Sequence, residues 1–172
     1  EGYKFLVIFG IATLVLYFIS SFLGLIGFAL TIWCYYFFRD PERQPINDEN
    51  YLVSPADGEV IKVEEVNGPK ELGLENKKMT KISVFMNVFD CHVNRSPCKG
   101  LISEIKYIPG KFINASLDKA SEENERNYFK IKDNKTNDDI VVVQIAGLIA
   151  RRIVCEVKKE QSLNQGERIG MI

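Results

Sequence analysis

Hydrophobic and polar positions divide this chain sharply in two. From Phe5 to Phe38 there is no charged residue, with Lys4 before the run and Arg39 after it. At 1.5 Å rise per residue such a run would make one helix of about 50 Å, far longer than a hydrocarbon core of about 30 Å. One straight span does not fit. Ser20-Ser21 near the middle, followed by Gly24 and Gly27, marks the place to break the run into two segments of roughly 15 to 17 residues. The pattern predicts a hydrophobic, membrane-inserted helical hairpin over 1–38, with both ends on one side. Pro41 and Pro45 then stop any helix and mark a linker over 39–50.

From Tyr51 the period changes to that of strands. Tyr51-Leu52-Val53 is followed by the turn Ser54-Pro55-Ala56-Asp57-Gly58, and Glu59 to Val63 alternates with near period two. Further strands rich in Ile and Val are expected over 81–88, 100–108, 128–132, 139–145 and 150–157. No long amphipathic helical period follows residue 50. The fold class expected for 51–172 is therefore mainly β, a compact sandwich or barrel-like domain behind the N-terminal helical hairpin.

Composition changes this picture in two places. The net charge of -1 and pI near 6.0 supply no field that would gather nucleic acid, and the mean hydropathy of -0.07 averages two unlike regions. The four cysteines, Cys34, Cys91, Cys98 and Cys155, form no CxxC pair, so they read as reduced thiols with neither a zinc site nor a disulfide framework. Lys4, Arg39 and Arg43 flank the apolar run, which places the β domain on the cytoplasmic face of the inner membrane under the positive-inside rule. A cleaved signal peptide competes with that reading, but the run is too long for one. Trp33, Tyr35, Tyr36 and Arg39 are the expected interfacial anchors, with simple helix packing an equally open role for the aromatic three.

Candidate chemistry centres on His92, the only histidine. An imidazole is the one side chain that titrates near neutrality without help, so proton transfer at pH 7 falls to it first. Asp57, in the Ser-Pro-Ala-Asp-Gly turn, is the carboxylate that could orient it; an Asp-Gly turn role is the plainer reading. The serines at 54, 83, 96, 103, 116, 121 and 162 sit in no GxSxG elbow, and none follows a glycine. No ordinary hydrolase triad is legible.

Several stretches in this order and spacing, FFRDPER, SPADGEV, VFDCHVNRSPCKG, YIPGKFINASLDKASEENERN, QIAGLIARRI and GERIGMI, resemble the short prokaryotic form of phosphatidylserine decarboxylase. The likeness covers nearly the whole chain. It implies a proenzyme that cuts itself at a Gly-Ser bond and turns the new N-terminal serine of a small α subunit into a pyruvoyl group. No Gly-Ser dipeptide occurs here, so the chain is expected to be the large β subunit, with the cut beyond Ile172 and the cofactor on the α subunit.

The implied reaction runs through a Schiff base between the pyruvoyl carbonyl and the amine of phosphatidylserine, with loss of carbon dioxide and formation of phosphatidylethanolamine. His92 matches the family histidine expected to handle the proton or orient the departing carboxylate. Asp57 matches the aspartate linked with self-cleavage. Longer members carry a second histidine three residues after the first, where this chain has Arg95, so the division of labour at His92 stays open. Arg95, Arg151 and Arg152 are expected to bind substrate phosphate or carboxylate through their planar donor forks, with surface charge as the alternative. Asn124-Glu125-Arg126 belongs to the family pattern and is assigned structural polar bonding. A homodimer is implied by the likeness alone. Two alternatives remain open at this point: the same chemistry on an archaeal ether-linked serine lipid, and a non-enzymatic, membrane-tethered lipoyl-like β module.

Overall fold

The computed structural model describes residues 2–46, 48–115 and 119–172. Ser116, one of the serines considered above, lies outside them. The chain forms two compact units, Glu1–Pro41 with Val88–Cys91, and Glu42–Asn87 with His92–Ile172.

The first unit is built on α1 (Gly2–Ile19) and α2 (Ser21–Phe37), an antiparallel pair broken at Ser20, whose extended backbone (φ -161°, ψ 135°) reverses the chain. Glycines let the helices approach closely. A Cβ at Gly24 would lie 2.8 Å from Tyr17 Cβ, and one at Gly27 would lie 2.9 Å from Thr13 Oγ1. Thr13 and Thr31 share a hydrogen bond of 2.9 Å between their hydroxyls, and each hydroxyl also lies 2.8 Å from a carbonyl of its own helix, at Phe9 and Gly27. Elsewhere the pair turns aliphatic and aromatic side chains outward; Phe18, for example, is 87% exposed. So much contiguous apolar surface is costly in water and at home in lipid. By length and composition α1 is a candidate membrane span, while α2 is apolar but one residue shorter, 17 against 18.

The second unit is mainly β. Strands β1 (Glu59–Asn67) and β2 (Lys78–Phe85) pair antiparallel, with a short 3-10 turn at Lys70–Leu72 between them. Strands β3 (Val93–Arg95), β4 (Gly100–Ile108), β5 (Arg126–Asp133), β6 (Asp139–Ile145), β7 (Val154–Cys155), β8 (Ser162–Leu163) and β9 (Arg168–Met171) form two further antiparallel sheets, ordered β6-β5-β4-β8 and β3-β9-β7. A four-residue helix, α3 (Ala120–Glu123), precedes β5. Ile102, Phe129, Ile131 and Ile169 are wholly buried in one core with Cys98, Val142, Val157 and Leu163. Ile169 brings β9 into the core that β4, β5 and β6 build. At Ser103 a register shift interrupts the β4–β5 ladder, and the serine hydroxyl donates to Lys130 O at 3.0 Å.

The expected strands over 100–108 and 139–145 coincide with β4 and β6. The one expected over 150–157 shrinks to Val154–Cys155. Its early residues form an irregular loop closed by a bond from Gly147 N to Ala150 O at 2.9 Å, so Ile153 and the residues before it pair with no strand among those described. The short strands β3, β8 and β9 have too few residues for alternation to register.

All four cysteines are free thiols. Burial, reinforced by the neighbouring Asp133 carboxylate, pushes the Cys98 thiol up to about 12. Since the thiolate is the reactive form, Cys98 will resist alkylation at pH 8 in the folded protein, whereas exposed Cys155 will label first. Mass mapping of labelled peptides before and after denaturation checks this, and early labelling at Cys98 would contradict it.

Candidate active site

His92 stands immediately before β3 and is 4% exposed. A ladder that ties the two ends of the segment His92–Ile172 holds it there. Strand β9 lies between β3 and β7, with Gly170 opposite both Asn94 and Cys155. Past the ladder, Ile172 N donates to His92 O at 3.2 Å, and at the other end Ser96 N donates to Glu167 O at 2.7 Å and Gly166 N to Ser96 O at 2.8 Å. The last residue of the chain therefore lies against the backbone of its only histidine.

Beneath this ladder runs a line of buried carboxamides. Gln144 Nε2 donates to Asn94 Oδ1 at 2.8 Å, and Asn127 Nδ2 reaches Gln144 Oε1 at 3.5 Å, with Gln144 and Asn127 each 2% exposed. Buried amides persist only when paired, so this line fixes β3 against β6 and β5. Gly170 makes room for it, since a Cβ there would lie 3.1 Å from Gln144 Nε2 and 2.2 Å from Val154 O. These residues were missed in the sequence. The signal was present: Gln144 is the one polar residue within the apolar run Ile140 to Ala146.

Asp57 reaches the site by its backbone. Arg95 N donates to Pro55 O at 2.8 Å and Val53 N to Pro97 O at 3.0 Å, so the turn that carries Asp57 is laced to β3 and the residues after it. Its carboxylate is engaged by Arg43, whose Nη2 donates to Oδ2 at 2.5 Å and Nε to Oδ1 at 3.3 Å. The pair is partly open to solvent, with side-chain exposures of 45% and 35%, so it serves more as an alignment than as a source of stability.

Arg95 is half-buried and donates through Nη1 to Gly166 O at 3.1 Å, which binds β3 to the turn before β9. Arg151 and Arg152 are exposed on the loop between β6 and β7, beside exposed Leu148 and Ile149. Arg151 Nε donates to Leu148 O at 2.9 Å, and its guanidinium lies 5.9 Å from the Phe112 ring centroid. Asn124 holds a neighbouring loop: its side chain accepts from Ile113 N at 3.0 Å and donates to Ile113 O at 2.9 Å and Ala146 O at 2.8 Å. Arg126 clamps Glu71 at 3.3 Å and Tyr128 Oη at 2.8 Å. Burial works to raise the Glu71 carboxyl, but hydrogen bonds, that of Arg126 among them, hold it below its ordinary value.

In the first unit, Trp33 packs against Phe37 with ring centroids 5.6 Å apart, and Tyr35 and Tyr36 are exposed. Arg39 stacks over the Tyr36 ring at 3.8 Å.

A family model for phosphatidylserine decarboxylase matches residues 30–172, which include every strand and the His92 ladder. The chain belongs to the phosphatidylserine decarboxylase family. It is 74% identical over 172 residues to the phosphatidylserine decarboxylase proenzyme of Pelagibacter ubique (strain HTCC1062), covering 100% of this chain and 80% of that protein. It is 55% identical over 174 residues to the proenzyme of Cereibacter sphaeroides (strain ATCC 17025 / ATH 2.4.3), covering 100% of this chain and 74% of the relative. The proenzyme of Ruegeria pomeroyi (strain ATCC 700808 / DSM 15171 / DSS-3) is 55% identical over 172 residues, with 100% and 78% covered. Each relative is longer than this chain, and the apolar helices fall within the part that matches. The chain has the short bacterial-type form of the phosphatidylserine decarboxylase family, a mainly β unit preceded by an apolar helical pair.

Proposed function

We propose that this chain is the β subunit of a membrane-bound phosphatidylserine decarboxylase that works with a small α subunit cut from the same precursor. The observation that carries the reading is the bond from Ile172 N to His92 O, in a chain whose relatives are longer proenzymes. In a precursor that continues past Ile172, the next residues leave from beside His92.

The pyruvoyl group of the α subunit fits that setting. The donor set is polar and pre-arranged: a buried imidazole-bearing residue, paired carboxamides at Asn94 and Gln144, and a glycine at the tightest point of β9. When bound, the group supplies an electron sink for the pair released as the carboxylate leaves the serine α carbon. His92 would hold it and carry the proton. The C–C bond to the carboxylate breaks, carbon dioxide departs, and a proton from the imidazole takes its place on the α carbon.

Arg151 and Arg152 supply exposed guanidinium groups for the lipid phosphate, beside apolar Leu148 and Ile149, which suit the first methylenes of an acyl chain. Arg95 serves by bracing β3 against the Gly166 turn. Asp57, aligned by Arg43 on a turn bonded to β3, belongs to self-cleavage. The apolar helix pair over 1–38 anchors the β unit at the cytoplasmic face, where a substrate confined to the membrane is met without leaving it.

Intact-mass spectrometry of the whole gene product tests this. A small second chain whose mass fits an N-terminal pyruvoyl, and which gains lipid mass when borohydride is added with phosphatidylserine, is the expected result. One uncut chain that gains no mass would overturn the reading.

A further inference from the structure

The loop Val88–Cys91 is distant from the helices in sequence, yet it belongs to their compact unit. Arg39 is the reason. Its Nη2 donates to Phe89 O at 2.8 Å, its Nη1 to Tyr36 O at 3.1 Å, and its own carbonyl lies 3.4 Å from Cys91 Sγ. One guanidinium thus closes the end of α2 and pins the loop to it.

That is the open end of the hairpin, where both helix termini meet. Phe5 stacks on Phe38 with ring centroids 5.3 Å apart, and a Cβ at Gly2 would lie 2.4 Å from Phe38 Cβ. The end is collared by aromatic side chains that the protein leaves open: Tyr3 is 81% exposed, Tyr35 70% and Tyr36 45%. Phe89, in the pinned loop, is 61% exposed, while its neighbours Val88 and Asp90 are half-buried. A loop tip whose phenyl ring is its most exposed side chain is the reverse of what water selects. Aromatic rings collect at the headgroup level of a bilayer, and charged guanidinium groups find phosphates there.

We propose that the Val88–Cys91 loop is part of the membrane contact, with Phe89 inserted among the lipid headgroups beside the open end of the hairpin. The inference rests on reading the hairpin as the membrane anchor. Residue 92 follows Cys91 directly, so the loop is joined to the start of β3 by a single peptide bond.

The chain has one tryptophan, Trp33, which makes the test direct. Trp33→Phe with Phe89→Trp leaves a single indole at the loop tip, a mild change at an exposed position. The full protein is reconstituted in vesicles of phosphatidylethanolamine and phosphatidylglycerol, with and without lipids brominated near the top of the acyl chains. Flotation of the vesicles reports anchoring separately. If the loop contacts lipid, the protein floats, bromolipid quenches emission by about twofold or more, and iodide in the aqueous phase loses access to the indole. If the protein floats while the loop-tip indole stays open to iodide and insensitive to bromolipid, this proposal falls and the hairpin anchor stands. If the protein fails to float, the anchor reading falls and takes this one with it.

Discussion

Replacing His92 by Gln will lower decarboxylation by about 10²–10⁴-fold while leaving the chain folded, the range expected when a positioned proton donor is lost. Gln is chosen because it nearly fills the imidazole volume and keeps hydrogen-bonding capacity at a site only 4% exposed, where Ala would open a cavity. The backbone bond from Ile172 N to His92 O does not depend on the side chain, so the β3–β9 ladder is expected to survive. Two readouts divide the work of this residue. The fraction of precursor cut, read by mass, reports self-cleavage; turnover by the cut enzyme reports decarboxylation. A variant that is fully cut but slow assigns the histidine to the proton on the α carbon. A variant that stays uncut assigns it to processing. Full cutting with unimpaired turnover would remove His92 from the chemistry.

The sequence made some of this legible for physical reasons that differ from element to element. The break at Ser20 was readable because a run with no charge is too long for one bilayer span and the serines and glycines cluster near its centre. Strands β4 and β6 were readable because β-branched residues gather there over enough length to mark a strand, Ile102, Ile105 and Ile108 in β4 and Ile140 to Val143 in β6. Strand β9 was not: Arg168 to Met171 is four residues long, and its meaning lies in pairing with β3 and β7, distant in sequence. The strand expected over 150–157 shrinks because exposed Arg151 and Arg152 stand in its first half, Arg151 bonding back to Leu148 O, and β-propensity responds to the neighbours a strand finds. At the candidate site, a lone histidine drew notice by its rarity, but the carboxamide line did not, since Asn94, Asn127 and Gln144 meet only through pairing across the sheets. The Asp57 carboxylate accepts from Arg43, 14 residues earlier in the linker. Charge partners across a turn-rich segment leave no periodic trace.

Gly170→Ala will stall self-cleavage and destabilise the β unit together, because one methyl group there has nowhere to go. Its carbon would stand 2.2 Å from Val154 O and 3.1 Å from Gln144 Nε2. The first is backbone, so no rotamer relieves it. Strand β9 is paired on both sides at this residue, to Asn94 and to Cys155, so moving away from β7 presses it on β3. Overpacking of this kind costs about 1–3 kcal/mol, and for a domain of this size each kcal/mol lowers the melting midpoint by roughly 2–4 °C. The functional cost is expected to exceed the thermal one. A shift of β9 displaces Ile172 from His92, and with it the point from which a continuing precursor leaves. Ile169→Val is the companion measurement, since Ile169 is wholly buried and its truncation costs about 0.5–1.5 kcal/mol without obstructing the ladder. Thermal melts and the uncut fraction are measured on both precursors in detergent. Gly170→Ala should remain largely uncut even at temperatures where it is folded, while Ile169→Val is cut like the wild type. Equal cutting in the two would mean that the register of β9 does not govern processing. Cutting that instead tracks the melting midpoint across both variants would assign the glycine to stability alone.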